Sequence, residues 1–122
     1  MLGLMEAEYA IAAAPEPEDD LFEMANLYPK NTGLPMTIWI SQKGGANHDV
    51  RVKVSPSHGA KMDIHNAAVV SVRPRVEVLH GNLQAKDLEA VRRWVVLNAQ
   101  AIIDYWNGEI DTLDLGQRLQ RL

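Results

Sequence analysis

The sequence predicts an α+β fold: a three- or four-stranded, mainly antiparallel β-meander packed by one long helix, with a short C-terminal helix after it. Three observations carry this reading. Residues 83–108 place apolar side chains at helical spacing. Residues 36–41 and 48–54 alternate side chains with a period of two, on either side of a glycine-containing turn. Residues 67–80 form a β-rich run broken by one proline.

The long helix organises the rest. Gln84 stands at its N-cap and Asp87 at N3, where the carboxylate is placed to reach back to a free backbone N–H. Leu83 and Leu88 have the spacing of a hydrophobic staple. Leu88, Val91, Val95, Ile102 and Trp106 build an apolar face flanked by Trp94, Leu97 and Ala101, with Lys86, Glu89, Arg93, Gln100 and Asp104 off it. Asn107-Gly108 ends the helix, because glycine accepts the left-handed conformation there. At about 1.5 Å per residue it is roughly 35 Å long. Asn98 lies close to the apolar face and is expected to hydrogen-bond a backbone group or a water.

A chain of 122 residues with 47% apolar content fits one domain, placed at residues 24–122, with residues 1–23 as a flexible acidic extension. Cysteine is absent, which excludes disulfides and cysteine-based zinc sites. No apolar run approaches the roughly 20 residues that span a bilayer. Residues 1–14 carry Glu6 and Glu8 and no early Lys or Arg, unlike a secretory signal, so a cytoplasmic location is expected. The net charge of −4 is unevenly spread: residues 1–35 carry −6, residues 36–80 carry +3 and residues 81–122 carry −1. A mildly basic middle inside an acidic protein keeps nucleic-acid binding open.

In chain order, residues 1–14 favour a short helix, and Pro15 to Asp20 reads as an acidic, proline-interrupted linker. Leu21 to Leu27 reads as one or two helical turns, capped by Asp20. Pro29, Gly33 and Pro35 punctuate a loop before a strand over Met36–Ser41 and a turn over Lys43–Asn47. His48 to Val54 is the clearest strand, with Ser55 to Gly59 as a loop and a brief strand over Ala60–Ile64. Because proline cannot donate a ladder hydrogen bond, Pro74 leaves either two strands or one bulged edge strand over residues 67–80. Asp111 and Asp114 cap a last short helix, with Ile110 and Leu115 as a second staple and Leu115, Leu119 and Leu122 as a narrow apolar stripe.

The stretch Val78-Leu79-His80-Gly81-Asn82-Leu83, followed by Trp94, Leu97-Asn98, Ile102 and Tyr105-Trp106, resembles the small bacterial domain-of-unknown-function proteins of the DUF4160 type, over roughly residues 36–107. The resemblance implies an α+β fold, a bacterial cytoplasmic protein and no established activity. It also implies gene neighbourhoods that can include toxin–antitoxin-like partners, which points to regulation or partner binding. The family's Pro-Pro-His-x-His run corresponds here to Ala46-Asn47-His48-Asp49-Val50, which keeps one of the two histidines.

Catalytic chemistry finds little support. His48, His58, His65 and His80 all lie in or beside the β region, but their spacings match no standard metal site, so no metal and no cofactor are expected. Ser55, Ser57, His58 and Asp63 are close in sequence, yet adjacent residues rarely meet with catalytic geometry, and Ser57-His58-Gly59 is ordinary turn composition. No catalytic residue is assigned, and a non-enzymatic protein is expected. The outward face of the sheet is the more informative feature. With Ile38, Ile40, Val50, Val52, Val54, Val70 and Val72 turned to the helix, Trp39, Arg51, Lys53, Ser71 and Arg73 turn away, with Arg75 near them. Trp39, Arg51, Lys53, Arg73 and Arg75 are the candidate binding residues. Exposed Trp and Arg are enriched in interface hot spots, so the expected role is a protein-interaction or regulatory module with a protein partner. The runner-up is a nucleic-acid-binding module, in which cations meet phosphates and a ring stacks on bases.

Overall fold

The computed structural model describes residues 23–122. The expected helix over residues 1–14 and linker over residues 15–20 lie outside the described residues. Eight elements follow: β1 (Met24–Leu27), α1 (Pro29–Thr32), β2 (Met36–Ser41), β3 (Arg51–His58), β4 (Ala68–Ser71), β5 (Val78–His80), α2 (Ala85–Trp106) and α3 (Thr112–Arg118). The strands form one sheet in the order β1-β2-β3-β4-β5, every neighbouring pair antiparallel. The meander therefore has five strands among the described residues, where three or four were expected.

Three boundaries differ from expectation for physical reasons. Met24–Leu27 is a strand, the outermost among the described residues, instead of a helical turn, because pairing with β2 buries Ala25 and Leu27 while Met24 and Asn26 stay outside. β3 starts later and runs on through Ser55-Pro56-Ser57-His58, which was read as a loop. Its partner β4 pairs only with Arg51 to Val54, so Pro56 lies beyond that ladder; on the other side the register with β2 shifts between the pairs Met36–His58 and Ile38–Val54, with the extra residues in β3 around Pro56. Ala60–Ile64 is not a strand. The alternatives at Pro74 resolve into two strands, joined by a turn that contains a cis Arg73–Pro74 bond.

The register aligns one residue from each strand across the outer face. Asn26 pairs with Trp39, Trp39 with Lys53, Lys53 with Val69, and Val69 with His80. The other parity builds the core: Ile38, Ile40, Val52, Val54 and Val70 are fully buried with Val91, Trp94, Val95, Ile102 and Tyr105 of α2. Helix α2 has Gln84 as its N-cap and Asn107 as its C-cap, close to the expected bounds, and Gly108 follows with φ +76°. Leu83 and Leu88 are half-buried against the core, as a staple requires. Leu97 is a correction: it is exposed, roughly 100° round the helix from the centre of the buried arc.

The C-terminal end is tied down rather than merely apolar. Asp111 accepts the Asp114 backbone N–H at 2.8 Å, and Asp114 accepts the Asp111 backbone N–H at 3.3 Å, which starts α3 as expected. Leu115 is buried, but the helix ends at Arg118, so Leu122 does not continue its stripe. Residues 119–122 instead run back over α2. Buried Asn98 donates to the Trp94 and Gln120 carbonyls, both at 3.0 Å, and accepts the Gln120 N–H at 2.8 Å. The Leu122 N–H then donates to the Thr32 carbonyl at 2.9 Å.

Candidate functional site

An open groove of about 400 Å³ lies on the outer face of the sheet. Its floor is the middle of the cross-strand row, Trp39, Lys53 and Val69, with Ser41 and Arg51 beside it and Met24 at the rim. Its wall is the turn after β2, which brings Gln42, Lys43, Gly45, Ala46 and His48. The groove exists because the outer parity of three strands meets a turn held in place from behind. The Lys43 N–H donates to the Trp106 carbonyl at 2.9 Å, an otherwise unpaired group at the end of α2, and Ala46 N–H closes the turn on the Lys43 carbonyl. His48 lies against the Trp106 ring, with centroids 5.3 Å apart, and donates from Nδ1 to the Asp49 carbonyl at 2.8 Å.

The electrostatics are one-signed. Among the described residues, Lys43, Arg51 and Lys53 line the groove, and no carboxylate does. Trp39 is half-buried, and its indole N–H donates to the Asn26 Oδ1 at 3.0 Å, which fixes the ring over the floor. The site thus offers a fixed aromatic surface beside three cations, which suits an anionic group joined to an apolar or planar one.

The five residues expected from the sequence divide into two groups. Trp39, Arg51 and Lys53 come together in the groove. Arg73 does not line it: its guanidinium makes a bidentate pair with Asp49, with both distances 2.9 Å. That hydrogen bond, helped by the Val50 backbone N–H, holds the Asp49 carboxyl down to about 2. Arg75 is exposed in the turn between β4 and β5 and also lies outside the groove. Ser71, expected on the outer face, is buried because its hydroxyl donates to the Arg75 carbonyl at 2.7 Å and accepts the Glu77 N–H at 3.1 Å. Lys43, His48 and Trp106 belong to the site although none was among the five expected binding residues. The contact between the turn and the helix end joins residues too far apart in sequence to be inferred from spacing.

The other titratable groups serve the scaffold. The expected cap at Asp87 is a correction. Its carboxylate, buried at the start of α2, accepts from His58 Nε2 at 3.0 and 3.1 Å instead of from the backbone. Ser55 accepts the Asp63 N–H at 3.2 Å. His65 and His80 share a shallow polar hollow with Asn66 and Asn82. Among the described residues, no three His, Cys, Asp or Glu side chains gather as a metal site would require, and no helix is long and apolar enough to cross a membrane.

Residues 58–107 match the family model described as Domain of unknown function (DUF4160). The match runs from the end of β3 to the cap of α2, so it includes Val69 and Trp106 of the groove and leaves out Trp39, Lys43, Arg51 and Lys53. No curated protein and no solved structure matches the chain.

Proposed function

We propose that this chain is a non-enzymatic interaction module, cytoplasmic and bacterial, that docks a protein partner in the groove formed by Trp39, Lys43, Arg51 and Lys53. The observation that carries the reading is the pairing of a fixed indole with three cations in an open concavity that, among the described residues, no carboxylate lines. Aromatic and Arg side chains at the centre of a concave patch are the anchors that protein interfaces use. A non-enzymatic role is supported by the placing of the nearest candidate nucleophile: Ser55 is fully buried, and its hydroxyl accepts the Asp63 backbone N–H. The bacterial setting and the regulatory, toxin–antitoxin-associated role are part of the same proposal and come from the resemblance of the sequence alone, since the family matched over residues 58–107 is one of unknown function.

The second reading is single-stranded nucleic acid, favoured by the exposed part of Trp39 beside Arg51 and Lys53. It is the weaker of the two because Arg73 is neutralised by Asp49 and Arg75 lies apart. The basic track stops after about one nucleotide-sized site, whereas strands are held along several phosphates.

The test compares the native chain with Arg51→Glu/Lys53→Glu, as baits in the producing host and in a titration with a short single-stranded oligonucleotide. A protein retained by the native chain and lost by the variant supports docking. Equal retention by both baits removes the groove from the reading. Amide shifts at Trp39, Arg51 and Lys53 on adding the oligonucleotide, fading as salt is raised, would move the second reading to first place.

A further inference from the structure

Residues 1–23 hold seven acidic side chains and no basic one, so residues 24–122 carry a net charge of +3 inside a protein of net −4. All of the protein's net acidity precedes the sheet. The chain enters the sheet at the rim of the basic groove: the Gln42 N–H donates to the Glu23 carbonyl at 3.1 Å, and both Gln42 and the next residue, Met24, line the groove. The carboxylate of Glu23 is already engaged, accepting the Thr112 N–H at 3.2 Å, its hydroxyl at 3.3 Å and the Gln42 side-chain amide at 3.5 Å. The remaining nearby acids are Glu16, Glu18, Asp19 and Asp20, followed in sequence by Leu21 and Phe22.

We propose that this acidic run is the groove's own occupant, its carboxylates paired with Lys43, Arg51 and Lys53, and that a partner must displace it. The inference rests on the reading of the groove as a docking site. Reach is sufficient. The chain from Met24 back to Glu16 spans up to about 26 Å when extended, whereas the crossing from β1 to β4 is about 14 Å. Exposed ion pairs are individually weak, but a short tether presents the segment at an effective concentration in the millimolar range. Charge and tether together favour the chain's own segment over a free anion, and salt weakens the contact because the pairs are solvent-exposed.

The absence of cysteine gives a clean test. Ala14→Cys supplies a single thiol for a nitroxide label in the otherwise native full-length chain. At low salt the label should cause loss of amide signal at Lys43, Arg51 and Lys53 and of the Trp39 indole signal. The loss should be reversed by Glu16→Gln/Glu18→Gln/Asp19→Asn/Asp20→Asn and by raised salt. Groove signals that keep their intensity, or a loss unchanged by neutralisation and salt, overturn the proposal. A second arm titrates the neutralised, unlabelled chain with a free peptide of residues 16–22. If the label sees no contact but the peptide shifts the groove, the self-occupancy fails while the docking site stands. If neither acts, both readings fail. A single-stranded oligonucleotide that shifts the groove when the peptide does not overturns the proposal in favour of nucleic acid.

Discussion

Asn98 and Gln120 are joined by a reciprocal pair of hydrogen bonds, 3.0 Å from the carboxamide to the carbonyl and 2.8 Å from the backbone N–H to the carboxamide. One side chain in the middle of α2 thus does for residue 120 what a neighbouring strand would do. Replacing Asn98 by Ala leaves buried polar groups unpaired, at a cost of about 1–3 kcal/mol. The variant should unfold at lower urea concentration. The Gln120 and Leu122 amides should exchange with solvent faster than those of the sheet. Unchanged exchange at both would show that the carboxamide does not hold the segment.

His58 and Asp87 make a second long-range tie, 29 residues apart in sequence, with the imidazole 58% and the carboxylate 8% exposed. His58→Ala strips a buried carboxylate of its side-chain partner and should destabilise by about 1–3 kcal/mol. Asp87→Ala removes both the acceptor and a favourable negative charge in the first turn of α2. A double-mutant cycle read by urea unfolding should give a coupling of about 1 kcal/mol or more. Strict additivity of the two single variants would contradict the tie.

Two glycines with the same backbone sign separate conformation from contact. Gly33 and Gly108 have φ of +82° and +76°. A Cβ at Gly33 would stand 2.7 Å from the Leu122 carbonyl oxygen, while one at Gly108 would meet nothing within 4 Å. Gly108→Ala should therefore cost about 1–2 kcal/mol for the left-handed backbone alone. Gly33→Ala should cost more and should also loosen residues 119–122. The comparison is made by thermal unfolding together with amide exchange at Leu122. Equal losses in the two variants would argue against close packing of the last residues.

The Asp49–Arg73 pair predicts a titration. Asp49 is lowered from 3.8 to about 2, first by the Arg73 hydrogen bond and then by the Val50 N–H. A depressed carboxyl stabilises the fold above its unfolded value, and that contribution fades as pH falls from about 4 towards 2. Followed by carboxyl carbon shifts, Asp49 should titrate near 2 in the native chain. In Arg73→Gln it should titrate much closer to the ordinary value. Freed of its partner, Asp49 would also sit as an unpaired negative charge beside His48 at the groove wall. An unchanged midpoint in the variant would discount the pair.

How much of this was legible depended on the range of the interactions. Helix α2 was readable to within a residue because its cap position, apolar period and glycine stop are all local. The exception, Leu97, sits at the border of the face, where periodicity does not decide exposure. Met24–Leu27 misled because a strand of four residues has no local signature; pairing with β2 makes it a strand. The extension of β3 through Pro56 was hidden by turn-like composition. Of the site, Trp39, Arg51 and Lys53 followed from simple alternation. The removal of Arg73 by Asp49 and the placing of Lys43 and His48 by Trp106 depend on contacts across 24 or more residues, which alternation does not register.

The row Asn26, Trp39, Lys53, Val69 and His80 runs across the strands, one residue from each. Its chemistry is therefore spelled by the hairpins as much as by the side chains. Lengthening one turn by a single residue would invert everything beyond it, sending valines to the solvent and lysine to the core. An insertion that shifted a strand by two residues would keep the core yet set a different word on the surface. Homologous chains could thus change what they recognise through loop length alone, with every residue of the row still present.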